Sequence, residues 1–129
     1  MYATNRKLLL VVTACVEAAT GLCLLTLPAV LFAVLLGIEK ATIEATFVGR
    51  IAGAALLCVG IASWMARGDT RSPAQLGLLT GILVYNTAAA MLLAYAGAFL
   101  NMTGLLLWPA VALHAILAVW CFTCLRAEG

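Results

Sequence analysis

The sequence predicts an all-α membrane protein: a bundle of four transmembrane helices with a short interfacial helix after the first span. Composition is the first reason, because 66% of the residues are hydrophobic and 9% are charged, whereas soluble domains average roughly 25% charged. The second is the pattern of long apolar runs, each close to the ~20 residues that cross a bilayer. The third is economy of length. Four such spans with short connections occupy nearly all 129 residues, which leaves no room for a soluble catalytic or nucleic-acid-binding domain. The net charge of +2 is small and its basic residues are scattered, so no nucleic acid is expected as a partner.

The first span runs from about Leu8 to Leu27. Pro28 then makes a straight continuation difficult, because it lacks an amide hydrogen and its ring crowds the preceding turn. The apolar stretch Pro28 to Leu36 is too short to cross a bilayer and is closed by Gly37, which marks it as a surface or re-entrant helix. One long, kinked first helix is the alternative reading. Beyond the polar Glu39 and Lys40, the second span covers about Ile43 to Ala66. The segment Arg67 to Pro73 is a loop, with Ser72 and Pro73 forming an N-cap and first-turn pair. The third span therefore covers about Pro73 to Gly97, Asn101 to Gly104 interrupt the pattern, and the fourth covers about Leu105 to Leu125. The whole chain reads as a single membrane domain.

Basic residues favour cytoplasmic loops. With four spans, the N-terminus, the second loop and the C-terminus share a side and carry Arg6, Lys7, Arg67, Arg71 and Arg126, whereas the opposite loops carry only Lys40. Both termini are thus expected in the cytoplasm, with the chain in the plasma (inner) membrane. Trp108, Trp64 and Trp120 lie toward span ends, where interfacial anchors belong.

Several segments imitate other signals. Arg6 and Lys7 before an apolar run resemble a secretory leader, and Val12 to Cys15 spell a lipoprotein-type box, but apolar sequence continues well past Cys15 and the reading is an uncleaved span. Asn101, Met102 and Thr103 match a glycosylation acceptor in a loop too short to present it. Cys121 and Cys124 form a C-x-x-C, the spacing of thiol oxidoreductases, at the end of a helix assigned to the reducing cytoplasmic side. Cys15, Cys23 and Cys58 read as small apolar packing residues.

The residues that do not belong in a plain apolar bundle are Glu17, Arg50, Asn86 and His114, one per span. Ionisable groups at such depth cost about 3 kcal/mol each on insertion scales and normally face the interior. At ~1.5 Å per residue, all of them fall in one central-to-outer layer. The sharp expectation is that Glu17 pairs with Arg50 while Asn86, His114 and Tyr85 complete a pocket for a small or lipid-soluble ligand. Its catalytic variant uses His114 and Glu17 as acid and base. The plainer expectation is that these groups specify which helix packs on which, with Arg50 free to reach outward toward Glu44 or Glu39. Small residues support close packing: Ala14 and Gly21 on the first span, Gly49, Gly53 and Gly60 on the second, Gly77 and Gly81 on the third. A single histidine without an acidic or thiolate neighbour on its helix makes neither a zinc site nor a paired haem site, so no metal or cofactor is expected, and no catalytic residue is assigned.

Glu17, Gly21, Pro28 and Gly37, then Arg50-x-x-Gly53-x-x-x-Leu57-x-x-Gly60, then Tyr85-Asn86 and Trp108 with His114 resemble small bacterial four-helix membrane families of unknown function, similar in size and plan to DoxX-like proteins. The resemblance covers most of the chain. It implies the fold and no particular activity, and Arg50 departs from the acidic residue expected in the second helix of DoxX-like members. The expected function is a small non-enzymatic membrane protein, either an accessory or assembly subunit or a hydrophobic-ligand-binding bundle. Its partners are the lipid bilayer and, through its glycine faces, a second copy or a larger membrane complex. The alternative is a membrane-embedded enzyme or carrier acting on a lipid-soluble or small substrate at the same cluster.

Overall fold

The computed structural model describes residues 2–70 and 72–126 and is helical throughout, with no strand among the described residues. Its helices are α1 (Tyr2–Thr26), α2 (Pro28–Leu36), α3 (Ile43–Ala66), α4 (Pro73–Phe99) and α5 (Leu107–Arg126). All but α2 are long and apolar enough to cross a membrane, and the chain is a multi-pass membrane protein. The boundaries follow local chemistry. Leu27, held before Pro28, leaves the helical region at φ −131° and ψ 52°, as the proline ring requires of its predecessor. This separates α2 from α1 and excludes the single kinked helix. Gly37 closes α2 at φ 75°, with its amide bonded to the Ala33 carbonyl, a left-handed cap that suits glycine. Thr42 caps α3 through the Ala45 amide, and Ser72 caps α4 through the Gln75 amide.

Three boundaries differ from expectation by two residues or more, one being the end of the third span, where α4 runs on to Phe99 rather than Gly97. The polar residues before Leu8 do not stop α1, which reaches back to Tyr2, because none of them breaks a helix. The fourth span begins at Leu107 rather than Leu105. Asn101 takes a left-handed φ of 54°, the amides of Leu100 and Met102 both return to the Ala96 carbonyl, and Leu107 opens α5 on the Gly104 carbonyl.

The bundle is two helix pairs. α1 lies along α3, and α4 lies along α5, while contact between the pairs is much slighter and is carried mainly by α1 against α5. Backbones in the first pair nearly touch: a β-carbon on Gly21 would stand 2.7 Å from the Gly53 oxygen, and one on Gly60 would stand 2.9 Å from the Ala18 nitrogen. Only glycine permits such an approach. Between the pairs, toward the end where α1 begins and α5 finishes, Leu9, Leu10, Leu79, Ile82, Leu117 and Cys121 form the apolar core. At the other end α2 packs on α1, α3 and α5. It is tied to the α4–α5 connection by a 2.8 Å bond from the Leu106 amide to the Val34 carbonyl.

Candidate functional site

Directly beyond the apolar core lies a buried polar cluster drawn from both pairs. Glu17 from α1 is 1% exposed and Asn86 from α4 is fully buried. The Asn86 side-chain amide donates to the Ile82 carbonyl at 2.9 Å, and its Oδ1 stands 2.8 Å from Nδ1 of His114 on α5. In that contact Nδ1 of His114 donates, since Oδ1 can only accept. Tyr85 meets the His114 ring edge-on, with centroids 5.6 Å apart and planes at 87°. Its phenol is the polar group that faces the Glu17 carboxyl. The order is therefore Glu17, Tyr85, His114, Asn86. Within this cluster the tyrosine is the side chain that reaches from one helix pair to the other, and Glu17 Oε1 is left buried without a hydrogen-bond partner.

Helical periodicity explains why these side chains converge. Leu79, Ile82 and Asn86 share the buried face of α4, and Tyr85 is rotated ~100° from Asn86, toward the neighbouring pair. On α1 the buried positions Leu10, Thr13, Ala14 and Glu17 follow the same three-and-four spacing.

Arg50 does not join this cluster, and the expected pair with Glu17 is absent. Register and rotation are the reasons. Ala14 and Ala18 flank Gly60, so Glu17 lies level with Gly60, and Arg50 is ten residues, roughly 15 Å, farther along α3. Gly49 and Gly53 are buried on α3, while Arg50 is exposed. It lines a groove of ≈ 240 Å³ with Ala41, Ile43, Thr46 and Phe47 near the start of α3, a position from which a long side chain reaches the membrane boundary.

The glycines likewise divide. Gly21, Gly53 and Gly60 make the α1–α3 contact and Gly49 receives the Phe32 ring of α2, whereas a β-carbon on Gly77 or Gly81 would meet nothing within 4 Å. All five cysteines are unbridged. Cys121 is a core residue whose thiol points at the Leu79 carbonyl, 3.7 Å away, which fits packing rather than thiol exchange.

Among the surface grooves, one of ≈ 370 Å³ runs along the α1–α3 seam beside Ala14, Ala18, Gly60 and Trp64, and another of ≈ 480 Å³ lies on α5 beside Ala115, Val119 and Trp120. A third, of ≈ 360 Å³, lies between the start of α1 and the α3–α4 loop. None of these, nor the groove at Arg50, is lined by Glu17 or His114.

Sequence reasoning missed Ser63 and Gln75. Both are buried and each has an oxygen without a partner, as does Thr13. Ser63 was discoverable, because Gly49, Gly53, Gly60 and Ser63 form the whole buried face of α3 at spacings of four, seven and three. Gln75 follows the loop, and its amide nitrogen donates to the Ala66 and Asp69 carbonyls. Comparison with protein families, with curated proteins and with solved structures finds no match to this chain.

Proposed function

We propose that this chain is a small non-enzymatic protein of the plasma (inner) membrane, with an accessory or assembly role, in which the Glu17, Tyr85, Asn86 and His114 cluster fixes how its two helix pairs dock. The observation that carries this reading is the polar cluster at the boundary between the pairs: Asn86 and His114 bond one another within one pair, and Tyr85 turns across to Glu17 on the other. In lipid there is no hydrophobic force to hold one apolar face against another, so between two loosely packed pairs polar contacts at one level help to select the docking geometry. The basic residues support an orientation with both termini in the cytoplasm, since Arg6, Lys7 and Arg67 line one groove at the end where α1 begins.

Asn86→Leu tests the joint. It leaves the His114 imidazole without its acceptor, and the expected loss of stability in detergent micelles is about 1 kcal/mol, the scale of buried polar contacts between membrane helices. Tyr85→Phe is expected to loosen docking of the pairs while leaving each pair intact, read by protease sensitivity of the 67–72 loop. Unchanged melting and unchanged proteolysis in both variants would remove the joint. A lipid-soluble molecule that co-purifies in stoichiometric amount with the wild type, and is lost from a folded Glu17→Gln variant, would replace it with the ligand-binding reading.

A second copy would find the glycines of α1 and α3 already occupied within the chain. The face of α4 carrying Gly77 and Gly81 is the one left open, and association through it is expected to be lost in Gly81→Ile, as read by native mass in mild detergent.

A further inference from the structure

Three buried side-chain oxygens without partners belong to neighbouring positions on α1 and α3: Thr13 Oγ1, Ser63 Oγ and Glu17 Oε1. Glu17 is one turn beyond Thr13 on the same face of α1. The register that sets Gly60 against Ala14 and Ala18 brings Ser63, one turn after Gly60 in the antiparallel α3, level with Thr13. Steps of about one helical turn, ~5 Å, between groups that each need a hydrogen bond are the gaps that single buried waters bridge.

The seam continues in one direction only. Ser63 lies within a turn of the end of α3 at Ala66, whose carbonyl accepts from Gln75. Gln75 Oε1 is itself buried and unpartnered, and at the same end Thr4, Arg6, Lys7, Arg67, Gly68 and Asp69 line an open groove of ≈ 360 Å³. Beyond Glu17 the interior closes over the paired Asn86 and His114 and then over apolar Leu24, Ala96 and Leu107.

We propose that Glu17 is a proton-binding site served from one side of the membrane, the side where α1 begins and α5 ends, through water held by the Ser63 and Thr13 hydroxyls. A carboxyl this deep, with no cation beside it among the described residues, carries an uncompensated charge when ionised, and binding a proton from water removes that charge. The groups that face it are few. Tyr85 approaches from α4, and His114 from α5 stands behind Tyr85. The buried face of α3 offers only glycines and Ser63, and α2 has no titratable side chain. The inference rests on the docking reading only for the placement of Glu17 inside the bundle.

Infrared spectroscopy of the protein in lipid vesicles tests it. The carbonyl band of a protonated carboxyl is expected, shifted in Glu17→Asp and missing in Glu17→Gln, and it should shift on transfer to D2O. In the double variant Thr13→Val with Ser63→Ala, which keeps shape and removes both hydroxyls, that exchange is expected to slow by about tenfold or more as the water bridge is lost, with the band itself retained. Absence of any Glu17-dependent band at every pH at which the protein stays folded overturns the site, and exchange as fast in the double variant as in the wild type overturns the route. Neither result touches the docking reading, which is decided by the Asn86→Leu and Tyr85→Phe variants. The converse also separates the two: a stable Asn86→Leu variant with a normal Glu17 band removes the joint and leaves the proton site standing.

Discussion

Gly21→Val is expected to separate α1 from α3 and to lower stability by about 3 kcal/mol or more, at the upper end of what overpacking costs. The first added carbon alone would stand 2.7 Å from both the Gly53 oxygen and the Leu57 nitrogen. These are backbone atoms, so no rotamer change relieves the clash, and the helices must move apart along their most extensive contact. Unfolding in mixed micelles, followed by loss of helix-pair protection, measures the change. Gly68→Val serves as the reference, since it adds the same side chain in the α3–α4 loop where nothing lies within 4 Å. Equal midpoints for the two variants would mean that α1 and α3 do not pack as described.

Gly104→Ala is expected to cost about 2 kcal/mol or more, again as a strain that backbone movement must absorb. Its β-carbon would collide with the Leu35 carbonyl carbon and oxygen, where α2 is tied to the connection between α4 and α5. Relief requires breaking the bond from the Leu106 amide to the Val34 carbonyl and lifting α2 from the end of the bundle. The visible result should be faster amide exchange at Leu106 with the four long helices otherwise protected. A variant that melts with the wild type and keeps Leu106 protected would show that α2 is not fastened there.

Much of the architecture was legible because hydrophobic length and helix-breaking residues are local signals. The second span was read as Ile43 to Ala66, which is α3, and Pro28 and Gly37 bounded α2 as expected from their backbone chemistry. The burial of Glu17 and Asn86 and the meeting of Asn86 with His114 follow from the cost of polar groups in lipid. What local signals do not encode is how far one helix is displaced along another. Depths counted from span ends set Arg50 and Glu17 in one layer, whereas the approach of Gly21 to Gly53 fixes a register that brings Gly60 to that layer instead. The glycine spacing hinted at the contact without naming the facing residue. Tyr85 was similarly only a supporting member of the expected pocket, because its role depends on where one pair is rotated against the other.

The division into pairs bears on how such a chain is made. Residues 2–66 contain both partners of the tighter pair together with α2, so this portion can assemble in the bilayer as soon as the ribosome has released it, before α4 and α5 are synthesised. The later hairpin would then dock against a preformed neighbour. A defect at Gly21 would strike before α4 and α5 exist, and one at Asn86 only after both have been synthesised.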